Sequence, residues 1–309
     1  MHSAARPSTL LSGARNALYI TLKLGYKKPH PMILIVDGGG TKTDCAVVDG
    51  SSVVARLTFP GINPAHLSDR EIAAALSGLS RATSGMRIQK VFFYGAGCTG
   101  DNAERLRAAL SEVFAFGGGG VTVKSDMEGA VSALFGTRRG IACILGTGSN
   151  SCLCEGGKVM ENIPPLGFIL GDEGGGAALG KLFLNALLRG HLPEDVTKAF
   201  FKWSDLTYDE IIERVYRRPM PARFLASFSP FICAHAGEDE ALGGIVRENF
   251  RAFFQLNVSR YGHHELEVGA VGGVAWHYRP FLSAVAAEEG YVLGSVLKSP
   301  LDGIVESFQ

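Results

Sequence analysis

The chain has 309 residues, of which 46% are hydrophobic, and its 30 Lys and Arg balance 30 Asp and Glu. A neutral, apolar-rich chain of this length is neither disordered nor built to hold nucleic acid by charge, and it has room for two lobes or one large α/β domain. Its 40 glycines, about 13% of the residues against about 7% ordinarily, cluster at 38–40, 117–120 and 174–176 without a collagen period, which points to backbone brought close to a ligand.

Residues 1–31 contain no Asp or Glu and end in Lys-Lys-Pro-His-Pro just before Met32. This segment is expected to lie outside the folded domain, as a disordered tail, an over-long start or a transit peptide. The six cysteines, Cys45, Cys98, Cys143, Cys152, Cys154 and Cys233, form no CxxC pair, which fits a reducing cytoplasm. No run of about twenty apolar residues exists to span a membrane.

From Met32 the chain reads as a buried apolar strand, Ile33-Leu34-Ile35-Val36, then the turn Asp37-Gly38-Gly39-Gly40-Thr41-Lys42-Thr43, then a second apolar strand to Asp49. Phe59-Pro60-Gly61-Ile62-Asn63-Pro64 reads as a turn before an Ala-rich helix, and there Asn63 makes an Asx turn or contacts a ligand. Val121-Thr122-Val123 reads as a strand handing over at Asp126 to an amphipathic helix through Phe135. The hairpin pattern then returns as Ile141-Ala142-Cys143-Ile144-Leu145, the turn Gly146-Thr147-Gly148-Ser149-Asn150, and a strand through Cys154. One such turn is an ordinary permissive hairpin; two turns a small domain apart can aim amides and hydroxyls at one polyphosphate from both sides. Neither the P-loop spacing nor a G-x-G-x-x-G fingerprint is present.

Residues 164–176 give a rigid lead-in, an acidic Gly171-Asp172-Glu173-Gly174 turn and a helix with apolar Leu179, Leu182, Phe183, Ala186 and Leu187. Leu192 to Tyr261 reads as helices, with Thr207 to Glu210 as a capping box and Pro219 and Pro221 as breakers. Val268 to Ala275 is a strand and glycine turn. The histidines show no ligand spacing, and Cys152 and Cys154 share one strand face, as core residues do.

The motifs 37–43, 124–130, 146–150, 171–174 and 268–275 together resemble the actin/hexokinase/heat-shock-chaperone superfamily, and within it the N-acetylglucosamine kinase branch of the BadF/BadG/BcrA/BcrD-type ATPases. The resemblance implies an α/β fold of two ribonuclease H-like (actin-like) lobes with nucleotide in the interlobe cleft: an N-terminal lobe of 32–124 and a C-terminal lobe of 125–309 whose final helix returns to the first. It implies an ATP-dependent kinase of an amino sugar, N-acetylglucosamine by preference, acting at the 6-hydroxyl in the cytoplasm, commonly as a homodimer.

On the same resemblance Asp126 is the general base and Asp37 holds Mg2+ through water. Gly39, Gly40, Thr41, Thr43, Gly146, Thr147 and Gly148 contact ATP phosphates, with Lys42 as a further phosphate contact or a solvated side chain. Gly272 and Gly273 admit the adenosine, and Asn63, Thr147, Gly167 and Asp172 face the sugar. Leu166 stands where the animal enzymes carry Trp. Two alternatives are an activator ATPase with a shared iron–sulfur cluster, whose relatives resemble one another in a Cys-Ala-Ala-Gly-Thr-Gly segment where the comparable loop here reads Leu145-Gly146-Thr147-Gly148-Ser149, and a sugar-binding regulator, whose zinc motif and helix-turn-helix are missing from this sequence.

Overall fold

The computed structural model describes residues 32–115 and 120–308; the leader 1–31 and most of the 117–120 glycine run lie outside the described residues. The first sheet is made of β1 (Met32–Gly38), β2 (Lys42–Asp49), β3 (Ser52–Pro60), β4 (Ile88–Gly95) and β5 (Val121–Ser125), in the order β3-β2-β1-β4-β5. β1, β2 and β3 pair antiparallel, while β4 and β5 run parallel to β1. The second sheet uses β6 (Gly140–Leu145), β7 (Ser149–Glu155), β8 (Lys158–Ile163), β9 (Glu267–Val271) and β10 (Val292–Leu297), in the order β10-β9-β6-β7-β8. Its three antiparallel and three parallel strands share β6 as the first sheet shares β1, so one topology occurs twice. The sequence reading foresaw both hairpins but not the third strands β3 and β8, which the tight turns at Gly50 and Gly156-Gly157, all at positive φ, fold back.

Helices α1 (Asp69–Ala82) and α2 (Gly100–Val113) cover one face of the first sheet, burying Leu34, Val36, Cys45, Val47, Val91 and Phe93. Period-2 alternation turns Ile35, Ala46, Val48 and Tyr94 to the other face, where they pack on the last helix, α13 (Pro300–Glu306). α3 (Asp126–Leu134) lies between the sheets, its Ala130, Val131 and Leu134 packing with Ala142, Cys152 and Cys154. The outer face of the second sheet carries a large aromatic core. It is built from α4 (Gly167–Leu170), α5 (Gly176–Leu188), α6 (Glu194–Ser204), α7 (Tyr208–Tyr216), α8 (Pro221–Ala226), α9 (Ser229–His235), α10 (Glu240–Leu256), α11 (Gly273–His277) and α12 (Arg279–Glu288), with a 3-10 turn at Val258–Tyr261. Phe183, Phe200, Phe228 and Phe231 stack edge to face within it. The Thr207/Glu210 capping box opens α7, and α8 starts at Pro221. No helix among the described residues is long and apolar enough to cross a membrane, and all six cysteines are unpaired.

Candidate active site

In each sheet the parallel strands end at one level. Gly38, Gly95 and Ser125 are in register in the first, and Ile144, Val271 and Leu297 in the second. Ligands of open α/β sheets sit outside these carboxyl ends. The first edge carries Asp37, the 39–41 turn and Asp126; the second carries the 146–148 turn, Gly272 and Ser299.

The first turn closes with the Gly39 amide donating to the Lys42 carbonyl (2.9 Å), and the Gly61 amide reaches the Thr41 carbonyl (3.1 Å). A Cβ on Gly61 would lie 2.6 Å from the Gly39 oxygen, so Gly61 is the bare backbone on which this turn rests. Gly40 and Thr41 are exposed at the tip. The exposed Lys42 ammonium pairs with Asp44 at 2.5 Å. Thr43 corrects the sequence reading: it is fully buried, and its Oγ1 accepts from the Ile62 amide at 3.0 Å, so it anchors the neighbouring loop and does not offer its hydroxyl to a phosphate.

The second turn is held from behind. The Gly176 amide donates to the Gly146 carbonyl and the Ala177 amide to the Thr147 carbonyl, both at 2.8 Å, while the Gly146 amide donates to the Gly148 carbonyl at 2.9 Å. All three carbonyls are thus engaged within the protein, which leaves anion binding to the amides of an exposed tip at Thr147. A Cβ on Gly272, at φ +123°, would strike the Leu145 carbonyl, so the adenosine-type turn lies directly on the approach to this loop, whereas Gly273 faces open space.

Asp172 was expected at a helix start; the structure puts it in the loop before α5, which is capped by Gly175. It takes φ +62°, and its carboxylate accepts from the Ser149 amide and sits against Gly148, where a Cβ would come within 2.6 Å of Oδ2. Burial raises its pKa. Gly167, at φ +77°, opens the short α4, in which Ile169 and Leu170 are exposed, as is Leu166 just before it. Asn63 Oδ1 accepts from the Ala65 amide at 2.9 Å, an Asx turn, and Gly97 leaves room for that oxygen.

Asp126 is the first residue of α3, and the cap is Ser125, whose hydroxyl accepts from the Glu128 amide (3.2 Å) while Glu128 reaches back to the Ser125 amide (3.0 Å). Asp126 is therefore released from the capping duty expected of it. Its Oδ1 accepts from the Met127 amide at 2.9 Å, and burial outweighs that bond to raise its pKa, contrary to the weak base that a helix start alone would make. Asp37 shares the field of Asp44 and Asp126: burial first, then Asp44, lift its pKa to about 7, against opposing effects from the Ser299 hydroxyl and Lys42. Cys152 and Cys154 are buried within a strand of the second sheet, away from the exposed seam at which a cluster shared between two chains would need its thiols.

A structure of a candidate N-acetylglucosamine kinase from Porphyromonas gingivalis is 45% identical to this chain, with a TM-score of 0.86, covering 89% of this chain and 98% of its own. The chain belongs to the N-acetylglucosamine kinase family. A second candidate N-acetylglucosamine kinase, from Chromobacterium violaceum, shares the fold at 20% identity and a TM-score of 0.70, over 91% of this chain and 100% of its own. No protein-family model and no curated protein matches the sequence. The actin-like, two-lobed α/β architecture expected from the motifs is the one present. Sequence reasoning missed Ser299, which carries no local signal, and read Gly61 only as part of a turn.

Proposed function

We propose that this member of the N-acetylglucosamine kinase family transfers the γ-phosphoryl group of ATP to the 6-hydroxyl of an amino sugar, N-acetylglucosamine by preference. The observation that carries the reading is that two glycine turns, each with partly buried carboxylates beside it, stand at the carboxyl edges of a duplicated sheet: Asp37 and Asp126 with the first, Asp172 with the second. In this reading residues 32–124 form the N-terminal lobe and residues from 125 onward the C-terminal lobe, whose last helix packs on the first sheet. The enzyme is a cytoplasmic homodimer.

The amides of Gly40 and Thr41 and of Thr147 and Gly148 hold the phosphates from two sides, Gly39 and Gly146, whose own amides close the two turns, let the phosphates approach bare backbone, and Gly272 and Gly273 admit the adenosine. Asp172, Asn63, Thr147 and Gly167 orient the sugar. Asp126 receives the 6-hydroxyl: as the sugar oxygen bonds to the γ-phosphorus, the β,γ-bridging P–O bond breaks, ADP leaves with its electron pair, and the hydroxyl proton passes to the Asp126 carboxylate. Burial, by raising its pKa, makes that carboxylate a better acceptor than an exposed one. Mg2+ supplies neutralisation of phosphate charge when bound with the nucleotide. Asp37 fits it: negative Asp44 and Asp126 outnumber Lys42 in its field, and a lone carboxylate suits a cation that keeps most of its waters. Among the described residues no group of three His, Cys, Asp or Glu side chains is placed to hold a metal unaided, so the nucleotide would complete the site.

ADP release tests the reading with N-acetylglucosamine, glucosamine, N-acetylmuramic acid and glucose as acceptors. N-acetylglucosamine should stimulate turnover most, with phosphorus NMR placing the new ester on O6. Turnover stimulated by none of the four would overturn it.

A further inference from the structure

Ser299 stands two residues beyond β10, 262 positions from Asp37 along the chain, yet its hydroxyl donates to Asp37 Oδ2 at 3.3 Å. The same Oγ accepts from the Leu301 amide at 3.3 Å, as the N-cap of α13. Its single proton is therefore given to the carboxylate while its lone pairs serve the helix. Behind it, the Leu297 carbonyl accepts from the Gly272 amide at 2.9 Å. A continuous chain of bonded groups thus runs from the glycine turn of the second sheet, through the end of β10, to the carboxylate at the end of β1. Beyond the bond, α13 packs on Ile35 and Val48 of the first sheet, and the Arg56–Asp302 ion pair ties the same helix to β3 at 2.5 Å.

We infer that Ser299 is a positioning residue for Asp37: it fixes one carboxylate oxygen from the second sheet, so that the other is presented to the hydrated cation brought by the nucleotide. The inference rests on the metal role proposed above for Asp37. The arrangement couples the two lobes at the reacting end of the cleft, because any movement of the Gly272 turn reaches Asp37 through Leu297 and Ser299. On its own sheet the cross-strand partner of Asp37 is another carboxylate, Asp44.

The test uses the full chain and the variants Ser299→Thr, Ser299→Gly and Ser299→Ala. Gly is nearly as good an N-cap as Ser, whereas Ala is poor, so the Gly variant removes the donor with little loss of capping. Two measurements are made: Mn2+ affinity by electron paramagnetic resonance with a non-hydrolysable ATP analogue, and the Mg2+ concentration at half-maximal turnover. The expected result is parent-like behaviour of Ser299→Thr, and a metal affinity roughly three- to tenfold weaker in both Ser299→Gly and Ser299→Ala, the loss of one hydrogen bond of ordinary strength, as befits a length of 3.3 Å. Ser299→Gly matching the parent would reduce Ser299 to a helix cap and overturn the inference. Asp37→Asn runs alongside: unchanged Mn2+ affinity there would overturn the metal reading itself, while weaker binding there with unchanged Ser299 variants would overturn only the inference.

Discussion

The Asp172 carboxylate rests on the α-carbon of Gly148, so close that any side chain at 148 would meet Oδ2 at 2.6 Å. The acidic turn and the second glycine turn, 24 positions apart, are therefore one unit, with the Ser149 amide donating to the same carboxylate.

Asp172→Asn separates the charge from the architecture. Asn tolerates the left-handed φ of +62° and can still accept from the Ser149 amide through its Oδ1, so the fold should be kept. What is lost is the ionised acceptor for a sugar hydroxyl, a charge-assisted bond of about 1.5–3 kcal/mol. We expect KM for the sugar to rise about ten- to a hundredfold with nucleotide affinity unchanged, measured by steady-state kinetics and calorimetry. Unchanged sugar KM would remove Asp172 from the site.

For Asp126→Asn the capping box argues for a small structural effect. Ser125 and Glu128 satisfy the first turn of α3 by themselves, and the Asn amide oxygen can take over the Met127 bond. The amide cannot take the sugar proton, so turnover should fall at least about a hundredfold while Mg-ATP still binds. Normal nucleotide binding with an undiminished rate would refute the general-base role.

The sequence discloses turns better than contacts. Gly39, Gly40, Gly146 and Gly148 are legible because a tight turn needs glycine locally, and the duplicated sheet follows from two such turns. Thr43 misleads because hydroxyls beside glycines look available; its parity was the better guide, since it shares a face with Cys45 and Val47, which α1 and α2 cover. Ser125-x-x-Glu128 is a capping signature in plain sight, eclipsed by the aspartate between. Ser299 carries no signal at all, because its partner is brought near only when the second sheet docks on the first.

Asp37 makes the stability depend on pH in an unusual direction. With a folded pKa of about 7 against an ordinary 3.8, the folded chain keeps a proton that the unfolded chain releases. Stability from this group is therefore full at low pH, falls as pH rises from about 4 to 7, and is lost above. The window corresponds to at most about 4 kcal/mol. In metal-free buffer with chelator, Asp37→Asn should gain on the parent steadily from pH 4 to 7 and be the more stable protein at pH 8. Denaturant titrations across that range check it, and a flat difference between the two would show that Asp37 titrates normally.

The last test concerns the crossing of α13 and α3. Gly303 sits within α13, where alanine would ordinarily favour the helix by about 1 kcal/mol. Here the added Cβ would stand 2.6 Å from the Ala133 carbonyl oxygen of α3, and a backbone group cannot swing aside as a flexible side chain can. Overpacking of this kind costs about 1–3 kcal/mol, which outweighs the propensity gain. Gly78, in the middle of α1 with nothing within 4 Å of its added Cβ, is the internal control. Gly78→Ala should raise the denaturation midpoint and Gly303→Ala should lower it. Because α3 begins at Asp126 and α13 is capped by the serine bonded to Asp37, a forced separation of these helices should also slow turnover in Gly303→Ala but not in Gly78→Ala. Equal stabilisation by both substitutions would mean that the two helices cross with room to spare, and that neither carboxylate depends on their contact.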